Sequence, residues 1–244
     1  MKYPNILWVW ESLTTPVRPL IFIDCMLTTV TVSRIPCPDV EDAPAALTDA
    51  VPRKYADCST LPLRQHWRGA DALPREGGVA RIGASASGLA VHIRFEDSDI
   101  FSTATADQQR LWLLGDVVEV FVKPGRARDD YWEVHMSPNG FLMDLLIPDR
   151  PGYQRGDYDW ETVNAADSGT SHQVRVEEGS WAAEAIVPWS AFGVAESPAP
   201  GATWQVGVCR FNFTGGLHDP ELSSTASLTQ PGFHRYEEFT DLLF

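Results

Sequence analysis

The stretch DYWEVHMSPNGFLMDLLI, residues 130–147, decides the fold. Ser137-Pro138-Asn139-Gly140 is a hairpin signal: proline fixes φ near a turn value, and Asn and Gly accept positive φ. The residues on either side read as two strands. Period-2 alternation places Glu133 and His135 on one face, opposite Trp132, Val134 and Met136. Working outward, GDVVEVFVKPG (115–125) is a β-branched run closed by Lys-Pro-Gly. GLAVHIRFED (88–97) alternates Val91, Ile93 and Phe95 against His92 and Arg94. SHQVRVEEG (171–179), SWAAEAIVP (180–188), TWQVGVCRFNFT (203–214) and FHRYEEFTDLLF (233–244) continue the pattern. WSAF (189–192) after Pro188 reads as one helical turn, TADQQRLWLLG (104–114) as a brief helix, and GVAESPAPGA (193–202) as a loop. No apolar helical period lasts beyond about ten residues, short of a normal globular helix. Many short strands with Gly/Pro turns predict an all-β, antiparallel β-sandwich of jelly-roll-like type with short helical turns.

The composition agrees with a packed domain. The 244 residues are 44% hydrophobic and 21% charged, and 33 acidic against 19 basic side chains give a net charge of −14. Such acidity disfavours phosphate backbones and anionic lipid, so nucleic-acid and membrane partners are not expected. Cys25, Cys37, Cys58 and Cys209 show neither C-x-x-C nor zinc-type spacing and read as small core residues. The nine tryptophans suit either a β-rich core or flat platforms for a ligand. Trp181, Trp189 and Trp204 flank strands in apolar company and read as packing, as does Trp132.

Most enzyme signatures are missing: there is no P-loop, nucleophile elbow, H-E-x-x-H or dinucleotide fingerprint. One ordered series of segments is more informative. Gly115-Asp116-Val117-Val118-Glu119-Val120-Phe121 is followed by Tyr131-Trp132-Glu133 and Ser137-Pro138-Asn139-Gly140. Trp181 to Trp189 comes next, then Gly201 to Trp204 leading to Arg210, and Phe233-His234 before Phe239. This order resembles the family 9 carbohydrate-binding modules and related family 9-like proteins over roughly residues 34–244. The resemblance implies a β-sandwich that binds sugar chain ends, found with glycan-degrading enzymes such as xylanases and often carrying structural calcium. It implies no required cofactor. In sugar-binding members one Trp lies just ahead of the Asp-x-x-Glu segment; here Trp112 stands near that place, one residue off, where Leu113 is. The second family Trp has no counterpart in ELSSTASLTQPGF (221–233), so the platform rests on Trp112, alone or with Tyr236 or Phe233.

The strands themselves supply the polar half of a sugar site. Glu119 points with Val117 and Phe121 into an apolar face, where a carboxylate needs a partner. Arg210 offers a planar fork to a carboxylate or to vicinal hydroxyls, and Arg210 and Asn212 share a face with Val206 and Val208. The expected site gathers Glu119, Glu133, His135, Arg210 and Asn212 on one concave sheet face, with Trp112 beside it. The expected function is binding of a mono- or oligosaccharide without chemistry. A free-standing glycan hydrolase or lyase using Glu119, Glu133 and His135 is the alternative. Haem held by His135 and Met136 ranks third, because neighbouring strand residues point to opposite faces. Glu96-Asp97-Asp99 and Asp129-Asp130 offer oxygens of the kind calcium takes, without EF-hand spacing.

Residues 1–33 are expected to be an extension ahead of a domain spanning 34–244. Two apolar runs there are broken by Glu11, Pro16–Arg18 and Asp24, so neither a bilayer span nor a secretory signal is expected. On the chain as given the expected location is cytoplasmic; a different true start would shift that expectation to the periplasm or outside the cell. MLTTVTVSRIPCP, opening at Met26, is a tidier beginning than Met1. Amino-terminal sequencing of the native protein is expected to find Met26 or a later residue first; an intact Met1 overturns this.

Overall fold

The computed structural model describes residues 27–35, 52–164 and 167–244. Its strands are β1 (Thr29–Thr31), β2 (Ser33–Arg34), β3 (Leu61–Pro62), β4 (Gly78–Ala84), β5 (Gly88–Glu96), β6 (Val117–Lys123) and β7 (Tyr131–Met136). They continue with β8 (Leu142–Ile147), β9 (Ser171–Glu177), β10 (Ser180–Pro188), β11 (Thr203–Asn212), β12 (Glu221–Ser224) and β13 (Thr240–Leu243). One sheet runs β1-β13-β11-β6-β7-β8, with β12 also on β11; the other runs β2-β4-β5-β10-β9, with β3 also on β4. All neighbours are antiparallel except β1–β13 and β2–β4, which add a parallel edge to each sheet. The fold is the expected all-β sandwich.

The β7–β8 hairpin closes through Ser137 to Gly140, with Gly140 at φ 90° and its N–H on the Ser137 carbonyl. Alternation then sorts the side chains. Val118, Val120 and Val122 of β6, with Trp132, Val134 and Met136 of β7, meet Val91, Ile93, Phe95, Trp181 and Ala183 from the opposite sheet. Trp132, Trp181, Trp189 and Trp204 all lie in this core, as expected from their apolar flanks. Trp132, Trp181 and Trp189 each donate their indole N–H, to the Ala191 carbonyl, Asp97 and the Ser85 carbonyl. Such partners are what let an indole sit in a dry interior. Cys58 and Cys209 are buried free thiols; Cys25 and Cys37 lie outside the described residues.

Several differences from the sequence reading matter. The sheets take in β1, so the sandwich starts earlier than residue 34; residues 1–26 lie outside the described residues. β4 and β12 fall in stretches whose alternation is hidden by Gly and Ser. The 104–114 stretch forms only a 3-10 turn at Leu111–Leu113, while two short helices, α1 (Arg150–Arg155) and α2 (Trp160–Asn164), appear after β8. Asp149 caps α1 by accepting the Gly152 N–H, and Gly156 ends it in the left-handed region at φ 77°.

Arg210 is the largest correction. Its side chain is 1% exposed and lies between the sheets, not beside Glu119. The register pairs Cys209 with Glu119 and Arg210 with Val118, so Arg210 shares its side of the sheet with Val118 and Val120. From there it donates to Asp97 at 2.8 Å, to the Glu96 carbonyl at 2.9 Å and to Asn212 Oδ1 at 2.9 Å, with its guanidinium 4.7 Å from the Phe95 ring. Asn212 in turn donates to Glu76 at 2.7 Å. β11 of one sheet is thus bolted to the end of β5 in the other. Removing one partner of a buried pair leaves an uncompensated charge, which costs about 3–5 kcal/mol. Asp97→Ala is therefore expected to lower unfolding stability by about that amount in a guanidinium titration; an unchanged midpoint would show the pair to be dispensable.

Candidate functional site

The outer face of the β1–β13 sheet carries a second polar cluster. β6 and β7 pair Glu119 directly with His135, and alternation adds Glu133 to the same side. His135 Nδ1 lies 3.2 Å from Glu119 Oε1, and its Nε2 lies 3.3 Å from Glu133 Oε2. The other Glu133 oxygen is 3.1 Å from His234 Nδ1, which also meets the Tyr131 hydroxyl at 2.8 Å. Five titratable groups thus form one continuous chain. Glu119, Glu133 and His135 are 4%, 2% and 1% exposed. The face is therefore roofed, not an open concavity: Leu111, Val163, Phe233 and Phe239 pack against Val117, Phe121, Tyr131 and Cys209.

Three segments build the roof. The first, between Phe101 and Asp116, carries Trp112 on its 3-10 turn. Asp116 pins its base by accepting the Phe101 and Phe213 N–H groups, both at 2.7 Å. Gly115 stands at φ 139°, and a Cβ there would lie 2.4 Å from the Phe101 carbonyl, so no other residue fits this close approach. The second segment is α1–α2, bringing Tyr153 and Trp160. The third is the stretch before β13, bringing Phe233 and His234. Trp112 and Trp160 meet edge to face at 5.8 Å, and Trp112 lies 5.7 Å from the His135 ring. The Arg110 guanidinium lies 4.4 Å from the Trp160 ring. Arg150 rests on Tyr236 at 4.3 Å and is neutralised by Glu237.

Of the six residues expected at the site, Trp112, Glu119, Glu133 and His135 come together, and Arg210 and Asn212 do not. Phe233 is buried against Phe121 and Phe211, and Tyr236 is held between Arg150 and Lys123, so neither is a free platform. Trp160, Tyr153 and His234 are the members that strand alternation does not reveal. His234 had a signal in the Phe233-His234 pair of the final segment; Trp160 had none. Met136 lies in the inter-sheet core and His135 on the outer face, so the two do not approach one iron. Of the acidic groupings, Asp97 is committed to Arg210 and Trp181, and Asp130 to Arg128. Among the described residues no group of three or more His, Cys, Asp or Glu is arranged to hold a metal.

The electrostatics split the two carboxylates. Burial pushes Glu119 up to about 7, opposed by His135. Burial acts on Glu133 as well, but His234 and His135 overcome it and hold Glu133 down to about 2. His234 is raised above its ordinary value by Glu133, against the effect of burial. Glu133 Oε1 and His135 Nδ1 have close polar neighbours but no hydrogen bond of proper geometry, as have both ring nitrogens of His92 in the other sheet.

No family model and no curated relative matches the chain. Solved structures do. A Bacteroides uniformis ATCC 8492 protein described as carbohydrate-binding superposes with a TM-score of 0.65 at 19% identity, covering 89% of this chain and 99% of that one. A family 9 carbohydrate-binding module from Caldicellulosiruptor kristjanssonii, in complex with cellotriose, gives 0.59 at 11% identity, covering 88% and 93%. The module in complex with glucose gives 0.58 at 10%, covering 88% and 95%. The chain thus has a family 9-like sandwich fold.

The carboxylate split has a pH consequence. In the folded protein Glu119 keeps its proton to about pH 7, whereas its ordinary value is 4.5. Between these values the unfolded chain ionises first, so stability falls as pH rises, by on the order of 3 kcal/mol. His234, being raised, adds a fall in the same direction as pH passes its folded value. Glu133 acts oppositely, losing stability as pH drops from 4.5 toward 2. Glu119→Gln is expected to flatten the fall between pH 4.5 and 7 in urea titrations; an unaltered slope would remove Glu119 as its source.

Proposed function

We propose that the protein binds carbohydrate, a mono- or oligosaccharide engaged at a chain end, on the roofed outer face of the β1–β13 sheet, in the service of glycan breakdown. The observation that carries this reading is the continuous polar chain Glu119–His135–Glu133–His234 lying against Trp112, a partly exposed indole whose ring is 5.7 Å from that of His135. Sugar recognition needs this pairing: an aromatic face for axial C–H groups, and charged hydrogen-bonders for vicinal hydroxyls. Trp112, joined by Trp160 and Tyr153, would supply apolar contact, and Glu119, Glu133 and His135 would meet hydroxyls only where the roof over them parts, since all three are buried. Arg210 and Asn212 leave the ligand set and serve the fold. The carbohydrate-binding structural neighbours support a ligand of this kind.

The enzymatic alternative is favoured by one observation, the separation of Glu119 and Glu133 to about 7 and about 2, which suits an acid and a carboxylate at neutral pH. A glycan hydrolase or lyase would use these two with His135. New chain ends after incubation with oligosaccharides would favour catalysis over binding alone.

Calorimetric titration with glucose, cellotriose and xylo-oligosaccharides tests the binding reading. Trp112→Ala and Glu133→Gln are each expected to weaken binding about tenfold or more, the effect of removing a dominant contact. Unchanged affinity in both variants, with the fold intact by circular dichroism, would move the site elsewhere.

A further inference from the structure

The arginines around this face are not equivalent. Arg150 is paired with Glu237 and Arg235 with Glu238. Arg110 has no carboxylate partner among the described residues; its guanidinium lies 4.4 Å from the Trp160 ring, at the roof of the site. Trp160 abuts Trp112, and Trp112 abuts His135, so the cation sits at the outer end of the aromatic path to the buried cluster. Arg110 also acts electrostatically on Tyr153, which at the same time feels Glu133 and Glu119, placing the cation within range of the floor. Leu111, the next residue, is buried in the roof, and the 3-10 turn that follows fixes where Arg110 leaves the backbone.

An exposed, unpaired guanidinium on an indole is conspicuous in a protein of net charge −14. A guanidinium held over a ring face makes no hydrogen bond to it, so the N–H groups of the exposed Arg110 stay available to a planar acceptor. Resting on the proposed carbohydrate site, we infer that the sugar recognised there carries a carboxylate, as a uronic acid does, and that Arg110 reads it. The sugar ring would lie along Trp112 and Trp160 with hydroxyls toward Glu133 and His135, and its carboxylate would meet Arg110 in a two-point, charge-assisted contact. Part of the Glu133 charge is offset by His234, which lies 3.1 Å from it and is raised above its ordinary value.

The test compares matched ligands by calorimetry: glucuronate against glucose, and xylo-oligosaccharides with and without a glucuronate branch. Wild type is expected to bind each acidic member at least tenfold more tightly than its neutral partner, with the margin shrinking as salt is raised. In Arg110→Ala the acidic-to-neutral ratio is expected to fall to near one, and Arg110→Lys to restore part of it. Equal wild-type affinities overturn the uronate inference while leaving carbohydrate binding intact. A ratio that survives in Arg110→Ala overturns the role of Arg110. Glucose 6-sulfate binding as tightly as glucuronate overturns the choice of a planar carboxylate. Failure of wild type to bind any of these sugars overturns the carbohydrate reading and this inference together.

Discussion

In the Arg210–Asp97 pair a guanidinium from one sheet is held by a carboxylate at the end of a strand in the other, and the geometry of the sandwich follows from it. Each sheet alone could slide over its partner, since the aliphatic contacts between Val118, Val120, Val91 and Ile93 are not directional. The ion pair is directional, and Trp181, the Glu96 carbonyl and Asn212 complete its hydrogen bonds. Desolvating these charges is costly, and the full set of partners is what makes the burial tolerable. With the sheets locked at this edge, Asp116 near the start of β6 is placed to accept from both Phe101 and Phe213, which anchors the loop that carries Trp112.

The same pleat that sends Arg210 inward sends Glu119 outward. Cross-strand pairing brings Glu119 to His135, and the roof segments remove water from both. Low exposure alone would favour neutral side chains. The two histidines on Glu133 reverse that tendency for one carboxylate and not for the other. A single sheet face thus holds one ionised carboxylate and one that titrates near neutrality around one imidazole, an arrangement suited to exchanging hydrogen bonds with hydroxyl groups of either polarity.

Strand identity was legible because it is local. Val91, Ile93 and Phe95 against His92 and Arg94 state the period, and Ser137 to Gly140 state the turn. β4 and β12 were less legible because Gly78, Gly83, Ser223 and Ser224 blur the contrast between faces. The site was half legible. Glu133 and His135 share one strand, so alternation places them together, and Glu119 needed only the hairpin-neighbour strand. Trp160 and Tyr153 come from helices inserted after β8, and their approach to Trp112 has no counterpart in the spacing of the chain.

By itself the sequence determined an all-β chain, the inward and outward set of each strand, and the presence of a carboxylate on a face otherwise apolar. Only the tertiary structure decided which sets face the same way. The positions of Glu119 and Arg210 within their own strands do not reveal that they lie on opposite sides of one sheet. That depends on register, and pairing Cys209 with Glu119 instead of Arg210 with Glu119 reverses the face. A one-residue difference in pairing costs nothing that local propensity can detect. It is settled by the packing of both sheets at once, which is why the partner of Glu119 is His135 and the partner of Arg210 is Asp97.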